Sequence, residues 1–260
     1  MTTAEQLATW QPTWRYWPSP TQGAVETCQV QGRQVALPAH FHTEDQLVIV
    51  LQGRRRIAVG DTLFSAEAGQ TLLIPAGTVH HSLAEVQELL CINAYLPAAR
   101  HAQQRLRAQL RQTWLAGRLH CREDVLAVLA QHRPECTVPC TAAPSREQLQ
   151  IQPTASVREA ASAYGLSREH YARQFKLQHG VPPQTHRLLQ RLNLARAYLR
   201  AGQAIADAAL DAGFTDQSHL SRAFKRSFGV SPGHYQPSPH VCSLGGMAHP
   251  KTEIALALPQ

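Results

Sequence analysis

Val157-REAASAYGLSREHYARQFKLQHGVPPQTH and Ile205-ADAALDAGFTDQSHLSRAFKRSFGVSPGHY are two copies of one pattern, and the pattern decides the fold of the C-terminal third. Val157 pairs with Ile205, Ala160 with Ala208, Ala161 with Ala209 and Gly165 with Gly213, a constant offset of 48. One residue is then inserted in the second copy. Beyond it His170 pairs with His219, Arg173 with Arg222, Phe175 with Phe224, Gly180 with Gly229 and Pro183 with Pro232, at an offset of 49. Turns tolerate insertions and helices do not, so the slip marks a turn between two helices in each copy. A helical solenoid would need about three or more such repeats. Two copies of a helix-turn-helix point instead to DNA. Between them Pro182 to Gly202 reads as one long helix, with Leu188, Leu189, Leu192, Ala195, Tyr198 and Leu199 at helical spacing.

Working outward, a chain of 260 residues holds one or two domains, and each half is long enough for its own core. The 43% hydrophobic and 17% charged composition is that of a soluble globular protein. The net charge of +7 is unevenly placed: residues 1–150 hold 13 Lys/Arg against 12 Asp/Glu, and residues 151–260 hold 12 against 6. The basic excess lies with the repeat, where a phosphate backbone would need it. The N-terminus shows no signal-peptide pattern and no apolar run reaches membrane-spanning length, so a cytoplasmic location without membrane contact is expected. Cys28, Cys91, Cys121, Cys136, Cys140 and Cys242 are then expected as reduced thiols. Cys136 and Cys140 form the one close pair, open to a metal or redox role or to none.

The expected fold class is α+β and multidomain. Residues 1–97 read as a small β-barrel or jelly roll: an arm or edge segment with Trp10, Trp14, Tyr16 and Trp17 precedes strands starting at Gln46, Arg56, Thr62, Gln70 and Glu88. Residues 98–133 read as a helical pair, with Leu106, Leu110 and Trp114 on one face and Gly117 ending the first helix. That pair suits either a dimer surface, giving a homodimer, or a cover for the barrel. Residues 134–153 read as a linker, 154–237 as the all-α double helix-turn-helix, and 238–260 as a tail without functional reading.

In each copy the first helix is an apolar scaffold, Val157, Ala160, Ala161 and Tyr164 facing inward in copy one, and the second helix is exposed. Ser167 and Asp216 are suitable N-caps for the second helices. Arg173 and Arg222 suit bidentate contact with guanine O6 and N7. Gln217, Ser218, His219 and Ser221 are short polar groups able to meet bases or phosphates, and Lys176, Lys225 and Arg226 suit phosphates. With these residues in place, residues 156–236 resemble the AraC/XylS family of bacterial transcription regulators, whose signature matches the second copy. The resemblance implies double-stranded promoter or operator DNA as partner and RNA polymerase as a further partner, with activation or repression of transcription left open. It also implies base contacts from Glu169, Ala172 and Arg173 in copy one and from Gln217, Ser218, His219, Ser221 and Arg222 in copy two. Ala172 has no hydrogen-bonding side chain and Glu169 repels phosphate, so copy one is expected to read fewer bases.

In the N-terminal half, His40 and His42 precede a strand, where alternation puts both imidazoles on one face. Gly69-QTLLIPAGTVH supplies His80. The spacing of Gly69, Pro75, Gly77 and His80 resembles the second motif of the cupin barrels, and His40, His42 and Gly53 meet the first in part. Gln46 stands where metal-binding cupins carry Glu. His40, His42, Gln46 and His80 are therefore the candidate ligands for a divalent transition metal, or else the lining of a small-molecule effector pocket. His81 alternates to the opposite face. The expected function is a DNA-binding transcription regulator with an effector-sensing barrel and no catalytic activity. A cupin-type metalloenzyme, a dioxygenase or isomerase with an accessory DNA-binding domain, is the alternative.

Overall fold

A computed structural model describes residues 12–19, 24–97, 100–132 and 148–235. Cys136, Cys140, Cys242, the tail and most of the expected linker lie outside the described residues. The strands are β1 (Thr13–Pro18), β2 (Glu26–Gly32), β3 (Leu37–His40), β4 (Asp45–Gln52), β5 (Arg54–Val59), β6 (Thr62–Glu67), β7 (Thr71–Ile74), β8 (His80–Ser82) and β9 (Leu89–Leu96). The helices are α1 (Arg100–Leu115), α2 (Arg122–Gln131), α3 (Val157–Ala163), α4 (Arg168–His179), α5 (Pro183–Arg200), α6 (Ile205–Asp211), α7 (Gln217–Phe228) and α8 (Pro232–Tyr235). Antiparallel strands form two sheets, β1-β2-β9-β4-β7 and β3-β8-β5-β6. The aromatic arm contributes β1, an edge strand paired with β2 from Thr13↔Gln31 to Pro18↔Glu26. Proline is tolerated at such an edge because one side of the strand needs no ladder.

The apolar run of β4 does not alternate with polar residues because both of its faces are covered. Val48 and Val50 face the barrel interior with Cys28, Val30, Ile57, Cys91 and Tyr95. Leu47, Ile49 and Leu51 face outward with Ile92, Ala94 and Leu96, and meet Leu106 and Leu110 of α1 and Val125, Val128 and Leu129 of α2. The apolar stripe of the helical pair is thus spent on the outer face of the five-stranded sheet. It is not free to form the dimer surface that was one reading of it.

The repeat folds as expected, with each second helix capped by the anticipated residue. Ser167 Oγ accepts from the His170 amide at 3.2 Å, and Asp216 Oδ1 accepts from the His219 amide at 2.7 Å. Both helices end on a left-handed glycine, Gly180 and Gly229. Two expectations need correction. Tyr164 caps the C-terminus of α3 and is 38% exposed rather than inward-facing; the helical turn ends before it, and its ring rests beside Tyr171. The last residues of the expected linker belong to the first helix-turn-helix: Leu149 and Ile151 are buried against Val157, Tyr171 and Phe175. Tyr171 donates its hydroxyl proton to the Gln150 carbonyl at 2.7 Å.

Beside the cluster under α1 and α2 and the one in the first helix-turn-helix, the two halves share a third core. One cluster contains the barrel interior together with Leu189, Leu192 and Leu199 of α5, Ala208 and Ala209 of α6, and Leu220, Phe224 and Phe228 of α7. Polar bonds cross the same boundary. Tyr16 donates to the Phe228 carbonyl at 3.0 Å, and Asn193 donates to the Phe41 carbonyl at 2.9 Å.

Candidate functional site

The polar end of the barrel is built where β3, β4, β8 and β9 converge. His40 ends β3 and pairs with His80 on β8, which brings their ring centroids to 4.4 Å. His42 lies beyond the end of β3, so the turn and not strand alternation delivers its ring, 4.9 Å from that of His40. The candidate ligand atoms of these three buried imidazoles lie within 4.8 Å of one another. His81 is not among them. Burial is the main reason that all three rings resist protonation: His40 and His42 are held well below the ordinary histidine value, and His80 is brought down to about 4.

Their hydrogen-bond partners assign the ring protons. His40 and His80 direct Nδ1 at the carbonyls of Pro38 and Thr78, at 2.8 and 2.9 Å, and so donate Nδ1–H. Their Nε2 atoms keep a lone pair, the second-sphere pattern that orients a metal-binding imidazole. His42 differs. Its Nδ1 lies 2.7 Å from Nη1 of Arg196, which can only donate, so His42 Nδ1 accepts and its proton resides on Nε2. The Nε2 atoms of His42 and His80 are buried without partners, as is Oε1 of Gln46, whose amide nitrogen donates to Asn93 Oδ1 at 3.1 Å. Gln46 on β4 lines the same small space as His40 and His80, a cavity of about 10 Å³ bounded also by Arg55, Asn93 and Tyr95. A separate apolar cavity of about 210 Å³ lies among Ile57, Val59, Phe64, Leu72 and Ile74.

Arg196 comes from α5, the helix that joins the two repeats. It is 1% exposed and donates to Glu26 and, at 3.2 Å, to the Tyr235 hydroxyl, which in turn donates to Glu26. Its guanidinium carbon lies 4.2 Å from the centroid of the Tyr95 ring. Arg200, one turn on, reaches Glu44 at 2.7 Å and Glu26 at 3.3 Å. Burial lowers the affinity of Arg196 for its proton, but Glu26, Tyr235, Tyr95 and Glu44 together outweigh it and leave the group firmly charged. Sequence reading missed Arg196, Arg200, Glu26, Glu44 and Tyr235. One signal was present: Arg196 follows Leu192 by four and precedes Leu199 by three, so it falls on the apolar stripe, where an arginine needs a buried partner.

The helix-turn-helix half presents the anticipated side chains outward. Glu169, Arg173 and Lys176 on α4 are exposed and Ala172 is half-buried. On α7, Gln217, Ser218, Arg222 and Lys225 are exposed, and His219 and Ser221 are half-buried. Leu220, Phe224 and Phe228 anchor the opposite face of α7. The barrel therefore grips the back and the C-terminal end of α7 and leaves its first turn uncovered.

Residues 26–91 match the cupin domain family, and residues 160–238 match a helix-turn-helix domain family. The chain carries a cupin domain joined to a helix-turn-helix domain of the AraC type. Among curated proteins it is 36% identical over 87 residues to the probable transcriptional regulator LumQ of Photobacterium leiognathi, covering 33% of this chain and 35% of that protein. It is 41% identical over 73 residues to the transcriptional activator RhaS of Escherichia coli, covering 28% and 26%. The matched region thus spans about a third or less of these relatives. Wild-type ToxT of Vibrio cholerae, solved with a bound unsaturated fatty acid, has the same fold at a TM-score of 0.50 and 11% identity, over 86% of this chain and 94% of that one. Among the described residues no helix is long and apolar enough to cross a membrane.

Proposed function

We propose that this protein is a sequence-specific DNA-binding transcription regulator, acting in the cytoplasm, whose barrel senses an effector. The observation that carries the reading is the pair of capped helices α4 and α7, each held from behind by aromatic residues and exposing an arginine at the same register. Arg173 and Arg222 are the base readers, with Gln217, Ser218, His219 and Ser221 beside the second; Glu169 and Ala172 make copy one the weaker reader, and Lys176 and Lys225 neutralise phosphates. The names of the relatives support regulation rather than catalysis. RNA polymerase is the further partner, as the activator RhaS suggests by analogy. A homodimer would need a surface other than the apolar stripe of α1 and α2. Titration of labelled promoter fragments with the full chain, at several salt concentrations, tests the proposal. Binding that is steeply salt-dependent and saturates first on particular sequences supports it; affinity indifferent to sequence and salt refutes it.

The size of the histidine compartment bears on the effector. About 10 Å³ admits one ion or one water and no organic molecule. His40 Nε2, His80 Nε2 and Gln46 Oε1 together fit a divalent transition metal such as Zn(II), Ni(II), Cu(II) or Fe(II), with His42 as a further ligand once its Nε2 is free of hydrogen. Such an ion would supply charge and fixed geometry at the polar end of the barrel. An organic effector would need a larger space, such as the separate apolar cavity or the more polar cleft of about 330 Å³ among Gln70, Thr71, Gln104 and Arg107. ToxT supports that second reading by analogy alone. Elemental analysis after chelator-free purification separates the two.

A further inference from the structure

Arg196 and a metal on the three-histidine cluster would make opposite demands on the His42 ring. While Arg196 donates to His42 Nδ1, neutral His42 carries its proton on Nε2 and presents a donor to the cluster, not a lone pair. A metal bound through His42 Nε2 reverses the ring. Nδ1 then carries the hydrogen, and two donors, Nδ1–H and the guanidinium, would face each other at 2.7 Å beside an added positive charge. We propose that Arg196 is a latch: closing the three-histidine cluster on a divalent transition metal and docking α5 on the barrel are mutually exclusive. The inference rests on the metal reading of His40, His42 and His80 and adds how that site is regulated.

The consequence reaches the DNA-binding half because Arg196 does not sit alone. Its guanidinium is the link among Glu26 of β2, Tyr235 of α8 and His42, and α5 connects the two reading units. Phe228, at the C-terminal end of α7, stacks on His42 with ring centroids 6.0 Å apart. A His42 ring displaced by the clash with Arg196 would therefore disturb the seat of α7 as well as that of α5. Metal binding and domain docking draw on one equilibrium, so each must weaken the other by the same factor. A chain without the latch should bind metal more tightly, and metal should loosen α5 in the chain that has it.

The test uses the full chain and Zn(II) alone as probe. Arg196→Met leaves buried Glu26 with only its longer 3.3 Å contact to Arg200, so the principal variant is the double substitution Glu26→Gln with Arg196→Met, which removes both charges together. Competition with a fluorescent chelator should show at least tenfold tighter Zn(II) binding to the double variant than to the native chain. In parallel, Zn(II) added to the native chain should raise amide hydrogen exchange along α5 and at the end of α7. Equal affinities in the two chains overturn the latch, as does unchanged exchange in the metal-loaded native chain. A double variant that folds, by its circular dichroism, and takes up no Zn(II) overturns both the latch and the metal reading. Sequence-specific DNA binding by the metal-free native chain, measured alongside, judges the regulator reading separately.

Discussion

Arg196 on the long helix α5 donates to Nδ1 of His42 at 2.7 Å, joining a barrel residue to one that lies 154 positions later in the chain. Around that bond the apolar side chains of both halves merge, and Leu192 and Phe224 count among the same buried set as Val48 and Tyr95. Separate cores would leave each domain to melt alone. A shared core ties them.

The first prediction follows from that tie. Leu192→Ala removes a fully buried side chain at the junction and should cost about 2–5 kcal/mol. Loss of barrel structure and loss of helix should shift together, because Leu192 belongs to the buried cluster that both halves share. Tryptophan fluorescence, which reports Trp10, Trp14, Trp17 and Trp114, all in the N-terminal half, and far-ultraviolet circular dichroism, which reports the helices, should give coincident urea transitions in the native chain and the variant. Two separated transitions in the native chain would show that the halves are independent.

The second prediction separates readers from positioners. Arg222→Ala should cost roughly 1–3 kcal/mol on the preferred site and relax the preference at one or two base pairs. Arg173→Ala should do the same in the neighbouring groove. Lys225→Ala, also exposed on α7, should weaken all sequences alike and flatten the salt slope. Equal loss on operator and random DNA from Arg222→Ala would remove it from the base readers.

These two predictions stand at opposite ends of what could be read from sequence. The reading helices were legible because local rules specify them: Ser167 and Asp216 cap, Gly180 and Gly229 stop, and Phe175 and Phe224 repeat at one spacing. The three histidines were legible because their motif spacing resembles a known barrel. The covering role of α1 and α2 was only half legible, since an apolar stripe records that it is buried and not by what. The junction was not read at all. Arg196, Glu26, His42 and Tyr235 come from four separate stretches, and nothing local to any one of them names the other three. The expectation of separate cores rested on chain length, which sets how much surface can be buried and not where.

The third prediction uses the repeat as its own control. Gly180 and Gly229 occupy equivalent left-handed caps, with φ of 76° and 81°, so alanine at either position meets the same backbone strain, roughly 1–2 kcal/mol. Their surroundings differ. A Cβ at Gly180 would find Val79 no closer than 3.9 Å, whereas a Cβ at Gly229 would lie 2.7 Å from the Trp14 ring. Gly229→Ala should therefore destabilise more than Gly180→Ala and shift the fluorescence of Trp14 as β1 is pushed from α7. Thermal melts that rank the two variants equally would mean that the β1–α7 contact contributes nothing to stability.

The last prediction concerns acid. His80 is held at about 4 by burial and His186, wedged against Phe41 and Phe175, at about 4 by burial and its neighbour His179. His40 and His42 are lowered in the same direction. In the unfolded chain all four would titrate near 6.5. Between that value and about 4 the unfolded chain binds protons that the folded chain refuses, so stability rises with pH across this window and is lost as pH falls through it. For His80 alone the loss at pH 5 is about 2 kcal/mol. The carboxylates Glu44 and Asp216 are held below their ordinary values and add a further loss only at lower pH. Urea midpoints of the metal-free chain should therefore fall steadily from pH 7 to pH 5. His186→Gln, which lies outside the histidine cluster of the barrel, should make that fall shallower while leaving the rest of the slope in place. A midpoint unchanged between pH 7 and pH 5 would mean that these imidazoles take up protons in the folded protein as readily as in the unfolded chain.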